Sequence, residues 1–466
     1  MRKQNVLRVV LVLAVLALAL NAVSVKAQSP VAIRWYVGLG AGTDAGLIEK
    51  QQKVVDDFNA TYDDIELTLE VVDNAQAYDV LNTQIAADNA PDVVGPMGVR
   101  GRASFPGAWL DLTDLIASTK YDLSDFDPAL VDFYHIQGEG QLGIPFAVFP
   151  YFMMYNKALF DEADLPYPPK AYGEKYVDAD GNEKEWNIET VTELARMLTV
   201  DENGNDATME GFDNTKIVQW GFGVSHTDMR GRDTLFGAGN LVDADGNAQI
   251  PDNWRAAEKW YHDAMYGKQA FYPSGAYSGS DLLAGGNWFG SGNVAMVPIH
   301  QWYMGWGTAD LTAAWDLAPI PSYNGTITAK LHADTFGILR YSKHPAEAFT
   351  VLTYLLGEKA EELATAYGGM PARLSLQKDF YTGYAESLKA GYPNTNFDVN
   401  WEVAVAALSY PDNPNHEEGM PSFLEASNRY TEYLQVVDNN ADADVDAELD
   451  KLKADLQKIF DAAKTK

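Results

Sequence analysis

Ile33-Arg34-Trp35-Tyr36-Val37-Gly38-Leu39-Gly40-Ala41-Gly42-Thr43-Asp44-Ala45 runs from a strand-forming segment directly into a loop with three glycines in five positions. The flanking segments give that loop its meaning. Val31 to Val37 reads as a first strand, and Gly46 to Ala60 as a helix with Leu47, Val54, Val55 and Phe58 on one side. Ile65 to Val72 alternates apolar and polar residues as a second strand. Tyr78 to Ala87 predicts another helix, stopped by Pro91 in Asp88-Asn89-Ala90-Pro91, and Asp92-Val93-Val94 is a short buried strand. The unit is βαβαβ, in which parallel strands place a ligand crevice beyond their carboxyl ends. Gly38 to Thr43 and Gly95 to Gly98 lie at those ends.

Gly40-x-Gly42-x-x-Ala45 also fits the fingerprint by which dinucleotide enzymes seat a pyrophosphate on the following helix, and Asp73 stands where an acid would hold the ribose. A lone glycine pattern is weak, since glycine serves wherever any ligand approaches backbone closely. Further along, Leu142 to Val148, Phe152 to Tyr155 and Asn293 to Ile299 read as strands, and Glu189 to Leu198 and Asn253 to Tyr266 as helices. Layers of α/β type follow from this alternation. Asp178-Ala179-Asp180-Gly181-Asn182 and Asp243-Ala244-Asp245-Gly246-Asn247 look like calcium loops. Their glycine comes too early and no glutamate closes the loop, so both read as turns between short strands.

Arg2 and Lys3 precede an apolar run from Val6 to Leu20, followed by Val25-Lys26-Ala27. This pattern predicts a secretory signal, residues 1–27, rather than a membrane anchor: the run is interrupted by Arg8 and falls short of the ~20 residues that span a bilayer. The 466-residue chain has no cysteine, which excludes disulfides, thiolate metal sites and a lipid-accepting Cys after the signal. The expected location is therefore the periplasm or the extracellular space, without stable membrane insertion. Four of the 34 basic residues and no acid lie in the signal, so the remainder sets 30 bases against 66 acids, a formal charge of −36. Nucleic acid is not an expected partner, because a phosphate polymer needs a basic footprint. The length after cleavage suits two or three domains.

Catalytic signatures are missing: there is no G-x-S-x-G elbow, no phosphate-binding P-loop and no H-E-x-x-H, since His416-Glu417-Glu418-Gly419-Met420 stops short. No cofactor and no metal are expected. A paired-carboxylate glycosidase stays open as an alternative, because the separation of two acids in space is invisible in a sequence. What the chain does carry is aromatic density near strand ends: Phe149-Pro150-Tyr151, Trp288-Phe289, and Trp302, Tyr303 and Trp306 after the strand ending at Ile299. A sugar ring offers an apolar face edged by hydroxyls, which suits an aromatic plane with polar side chains around it. Most such aromatics fill cores, but Trp302 and Trp306 follow a strand end, where side chains can face a cleft.

Several segments, in order, resemble the extracellular solute-binding proteins of bacterial ABC importers, in their carbohydrate-binding, maltose-binding-protein-like group. Ala86-Ala87-Asp88-Asn89-Ala90-Pro91-Asp92-Val93-Val94 is similar to that family's A-A-G-x-A-P-D-V-V. Ile144-Pro145-Phe146 leading to Tyr155-Asn156-Lys157-Ala158-Leu159-Phe160 resembles its P-x8-Y-N-K-x-L-F, and Gly292-Asn293-Val294-Ala295-Met296 with Trp302 its G-x-x-A-M-x5-W. Trp315 to Pro321 and Gly368-Gly369-Met370-Pro371-Ala372-Arg373 resemble its W-x-x-A-P-x-P and G-x-P-A-R segments.

The resemblance implies an α/β, two-lobed periplasmic-binding-protein fold of type II kind, its lobes joined by hinge crossings with a ligand cleft between them. One lobe would hold residues 28–147 and 332–368, the other 148–331 and 369–466. It implies sugar contacts at Trp302 and Phe149 and in the loops holding Gly40 and Arg100. Phe149 departs from the acid of maltose-binding protein, so its hydrogen-bond pattern differs. Local chemistry adds Tyr151, Trp306, Arg230, Asp334, Arg373 and Trp401 as candidate contacts. The implied function is capture without chemistry: a monomer closes on a mono- or oligosaccharide and delivers it to the transmembrane subunits of an ABC permease. The alternatives are a secreted glycoside hydrolase and a glycan-binding module.

Overall fold

A computed structural model describes residues 29–136, 138–224, 226, 232–412 and 419–464. The signal expected at 1–27 and the candidate Arg230 lie outside these residues.

The quoted stretch forms β1 (Val31–Val37), and Asp44 caps the helix that follows, α1 (Ala45–Thr61), by accepting the Leu47 N–H at 3.0 Å. Val54, Val55 and Phe58 bury one side of α1 against the sheet. β2 (Ile65–Val71) pairs in parallel with β1 along its whole length, from Val31 opposite Ile65 to Val37 opposite Val71. α2 (Asn74–Ala86) starts four residues before the apolar pattern does, because the Asp73 carboxylate accepts the Ala75 N–H at 2.9 Å. Cap chemistry outranks periodicity at that end. β3 (Val93–Met97) runs three residues past the expected Val94 and is buried throughout, leading into the short helix α3 (Val99–Ala103).

Five further strands complete a second sheet: β5 (Tyr151–Asn156), β6 (Val200–Asp201), β7 (Ile217–Phe222), β8 (Val294–His300) and β9 (Trp315–Ala318), in the order β6-β7-β8-β5-β9. The first sheet is finished by β4 (Ile144–Phe149), β10 (His332–Ile338) and β11 (Met370–Pro371), in the order β11-β4-β10-β3-β1-β2. Each sheet mixes parallel and antiparallel pairs and is covered by helices, as α/β layering requires.

Over the described residues the chain therefore passes between the sheets three times. β4 ends at Phe149 and β5 begins at Tyr151, so the first passage is Pro150 alone, which has no N–H to offer either sheet. The second runs through Ala329–Leu331 into β10. There Ala329 N–H donates to Tyr410 O at 2.7 Å, and Leu331 N–H to Asp412 at 3.1 Å. The third comes later than residue 369: Met370 and Pro371 pair with Val148 and Ala147, and Leu374 N–H donates to Asp125 O, so the first sheet keeps the chain through this segment.

Past it, α6 (Phe423–Val437) and α7 (Val445–Lys464) join α5 (Asp252–Tyr266) in a separate apolar core around Trp254, Tyr430, Tyr433, Leu452 and Phe460, while α4 (Ile188–Met197) packs on β7. Val99 and Ala103 of α3, which belong to the first sheet's lobe, rest against this second-lobe core. The two acidic loops are turns. Asp178 Oδ1 accepts from Asp180 N and Asn182 N between paired Val177 and Glu183, and Asp243 Oδ1 does the same for Asp245 and Asn247. Among the described residues no helix is long and apolar enough to cross a membrane.

Candidate ligand-binding cleft

A cleft of about 1000 Å³ separates the lobes and is lined from both. Its first wall is made by the carboxyl ends of β1, β2 and β3, where Gly40, Asp44, Asn74 and Arg100 meet. The glycines here answer a packing need. A Cβ at Gly40 would stand 2.7 Å from Pro96 O, and Gly42 has φ +113° with its Cβ direction 2.6 Å from Val37 Cγ1. The loop is tied down by Gln51 Nε2 donating to Gly42 O at 2.7 Å, Asn74 Nδ2 to Gly38 O at 2.8 Å and Tyr78 OH to Leu39 O at 3.1 Å. The Asp44 carboxylate occupies the α1 N-terminus, the place where a pyrophosphate would sit, so the glycine fingerprint does not make a dinucleotide site. Arg100 reaches over the Tyr78 ring, 5.2 Å from its centroid.

The opposite wall is aromatic. Trp302 and Trp306 follow β8 with rings 10° from parallel and centroids 6.3 Å apart; Trp306 is 48% exposed. His226 stands edge-on to Trp306 at 5.1 Å, and Tyr392 packs beneath Gly305, where a Cβ would meet its ring at 2.6 Å. Phe149, at the end of β4, closes the inner corner and is buried against Gly369.

The floor is polar. Asp334 lies on β10, reachable from the cleft yet enclosed by protein, and burial pushes its carboxyl up to about 7. Gly98 leaves room for it: a Cβ there would stand 3.2 Å from Asp334 Oδ1. Beside it the Tyr367 hydroxyl is buried with no hydrogen-bond partner among the described residues. Burial, then the charges of Asp334 and Asp44, hold its phenol proton. A half-buried carboxyl and a buried hydroxyl facing one cavity form a site for a ligand that brings its own hydroxyls.

Of the ten candidate residues, the structure places Gly40, Arg100, Phe149, Trp302, Trp306 and Asp334 on this cleft. Tyr151, only two residues beyond Phe149, is fully buried in the core with its ring 4.6 Å from His300, because the chain changes sheets at Pro150. Arg373 points away from the cleft: its guanidinium donates to Leu356 O, Asp125 and Tyr121 OH and covers the Phe126 ring at 4.7 Å. Trp401 stands one layer behind the wall, stacked on Tyr381 at 5.0 Å; Tyr381 OH donates to Gln301 Oε1 at 2.6 Å, next to Trp302. Sequence reasoning missed Asp44, Asn74, His226, His332, Tyr367 and Tyr392. Only Asp44 has a local signal, since it adjoins the crevice edge read at Gly38 to Thr43; Asn74 follows β2, for which no such edge is read.

The sequence profile of the family described as "Bacterial extracellular solute-binding protein" matches residues 45–362. The chain belongs to that family. Solved structures of similar fold include an ABC substrate-binding protein from Listeria monocytogenes in complex with cycloalternan: 19% identical, TM-score 0.67, covering 92% of this chain and 98% of that one. UgpB from Mycobacterium tuberculosis, in complex with glycerophosphocholine, is 16% identical with TM-score 0.68, covering 93% and 99%. Maltose-bound MalE3 of T. maritima is 19% identical with TM-score 0.63, covering 92% and 99%. No curated protein matches the chain. The two-lobed fold and membership of this family are thus established, and the family is one of binding proteins rather than enzymes.

Proposed function

We propose that this protein is the substrate-binding component of an ABC-type carbohydrate importer, exported to the periplasm or the extracellular space, where it works as a monomer. It takes a mono- or oligosaccharide against one lobe, closes about the crossings at Pro150 and Ala329–Leu331, and passes the sugar unchanged to the transmembrane subunits of a permease. Closure is favoured because contacts from the second lobe exist only in the closed state.

The observation that carries this reading is the pairing, in one cleft, of the Trp302–Trp306 wall with the half-buried Asp334 carboxyl and the buried Tyr367 hydroxyl. An apolar ring face and a set of hydroxyls are what such walls and floor accept together. The test is thermal denaturation against glucose, tagatose, maltose, mannotriose and glycerophosphocholine, with recovery of the bound compound intact. A ligand present at a hundred times its Kd stabilises the fold by about 2.7 kcal/mol, a shift easily read. Stabilisation by a sugar recovered whole supports the reading. No shift with any sugar, or a cleaved product, rejects it.

A further inference from the structure

Trp302 and His332 come from opposite lobes: the indole follows β8 of the second sheet, and the imidazole opens β10 of the first. Their rings lie 9° from parallel with centroids 6.4 Å apart, and the indole Nε1–H donates to His332 Nδ1 at 3.2 Å. A hydrogen bond between two ring nitrogens points along both ring planes, so parallel rings joined this way lie edge to edge. Both rings line the cleft. The fully buried His300 stacks on His332 at 3.5 Å and 9°, supporting that ring from beneath. The bond also sets the tautomer, because an accepting Nδ1 leaves the imidazole proton on Nε2.

We infer that His332 is a positioning residue for the ligand plate: as an acceptor and a parallel neighbour, it holds the Trp302 indole at the angle at which a ligand ring lies on it. The hold comes from the other lobe, beside a crossing, where the lobes move least against one another. An untethered indole would have to be ordered by the ligand itself, at a cost to affinity. What lies on the plate rests on the carbohydrate reading above; the indole contact does not, and the test separates the two.

Full-length protein is compared with His332→Asn, whose amide oxygen takes the place of Nδ1 as acceptor, and His332→Phe, which keeps a flat ring without an acceptor. The first readout needs no ligand: the Trp302 indole N–H resonance of 15N-labelled protein, assigned by its loss in Trp302→Phe. It is expected downfield and protected from exchange in the unsubstituted protein, to be largely restored in His332→Asn, and to move upfield with faster exchange in His332→Phe. An unmoved resonance in His332→Phe overturns the proposal. The second readout is binding of maltose and mannotriose by calorimetry, expected to be at least fivefold weaker in His332→Phe, with His332→Asn in between. Equal affinity in His332→Phe also overturns it. If neither sugar binds the unsubstituted protein, the carbohydrate reading is what suffers, and the indole resonance decides on His332 alone.

Discussion

The Asp334 carboxylate acts on the Tyr367 phenol across the cleft floor: burial is the main reason the phenol proton is held, and the charge of Asp334 adds to it. The same enclosure brings Asp334 up to about 7. Both groups are poised for a ligand that supplies hydrogen bonds.

A proton should therefore accompany binding. The folded value of Asp334 lies above the ordinary 3.8, so the ligand-free fold holds this proton more tightly than the unfolded chain does. That contribution favours folding in acid and is lost as pH rises from about 4 through 7. Ligand hydroxyls that donate to the carboxylate stabilise its ionised form and draw the value back down. Binding near pH 7 is expected to release a proton, with affinity rising as pH increases through 7. Calorimetry in two buffers of different ionisation enthalpy reads the proton directly, and Asp334→Asn should abolish the release. A heat of binding identical in both buffers would rule the role out.

Trp302→Ala removes the ligand plate while leaving both sheets intact, since the indole is only partly buried and follows β8 rather than lying within it. Affinity should fall by about 1–3 kcal/mol from lost burial and ring contact, with the melting temperature nearly unchanged. Trp401→Ala should do the reverse, costing stability first, because Trp401 packs on Tyr381 and Tyr384 behind the wall. Titration of both variants beside their melting curves distinguishes wall from support; matching losses of affinity would put Trp401 in the site.

Ala103 of α3 sits against the second-lobe helical core without lining the cleft. Ala103→Glu sets a charge into that contact between lobes. Ligand-bound protein should then show a larger radius of gyration by small-angle scattering, and affinity should drop by about 1–2 kcal/mol from an imperfectly desolvated charge. An unchanged envelope would mean that α3 and α6 do not help hold the lobes together.

Lys330 and Asp412 form a buried ion pair at 3.2 Å where the chain returns to the first sheet. Lys330→Met takes the cation away from a buried carboxylate that keeps its Leu331 N–H, and stability should fall by about 3–5 kcal/mol. Lys330→Met combined with Asp412→Leu should recover part of that loss. Denaturant midpoints of the single and double variants measure both; a double variant no better than the single would show that the pair is not the cause.

The strands and helices of the first lobe were legible because their signals are local. β1 stands where its apolar run does, and the glycine loop after it reaches the cleft because strand ends in such sheets do. The start of α2 was misread only because Asp73, a cap, was weighed less than the apolar spacing after it. The cleft was legible in part: Trp302, Phe149, Gly40 and Arg100 were carried by the family resemblance, and Asp334 by its charge beside a crossing.

Periodicity, capping and the placement of glycine are written in neighbours a few residues apart, so the α/β layering and the edge of the crevice could be read along the chain. Which side chains face the ligand could not, because that depends on partners distant in sequence. Phe149 and Tyr151 differ by two positions and a change of sheet, and one lines the cleft while the other is core. His332 acquires its part from Trp302, thirty residues away and on the other lobe, and Tyr367 from Asp334. Burial and hydrogen bonding across a folded interface belong to pairs of residues, and the pairs exist only once the sheets have come together.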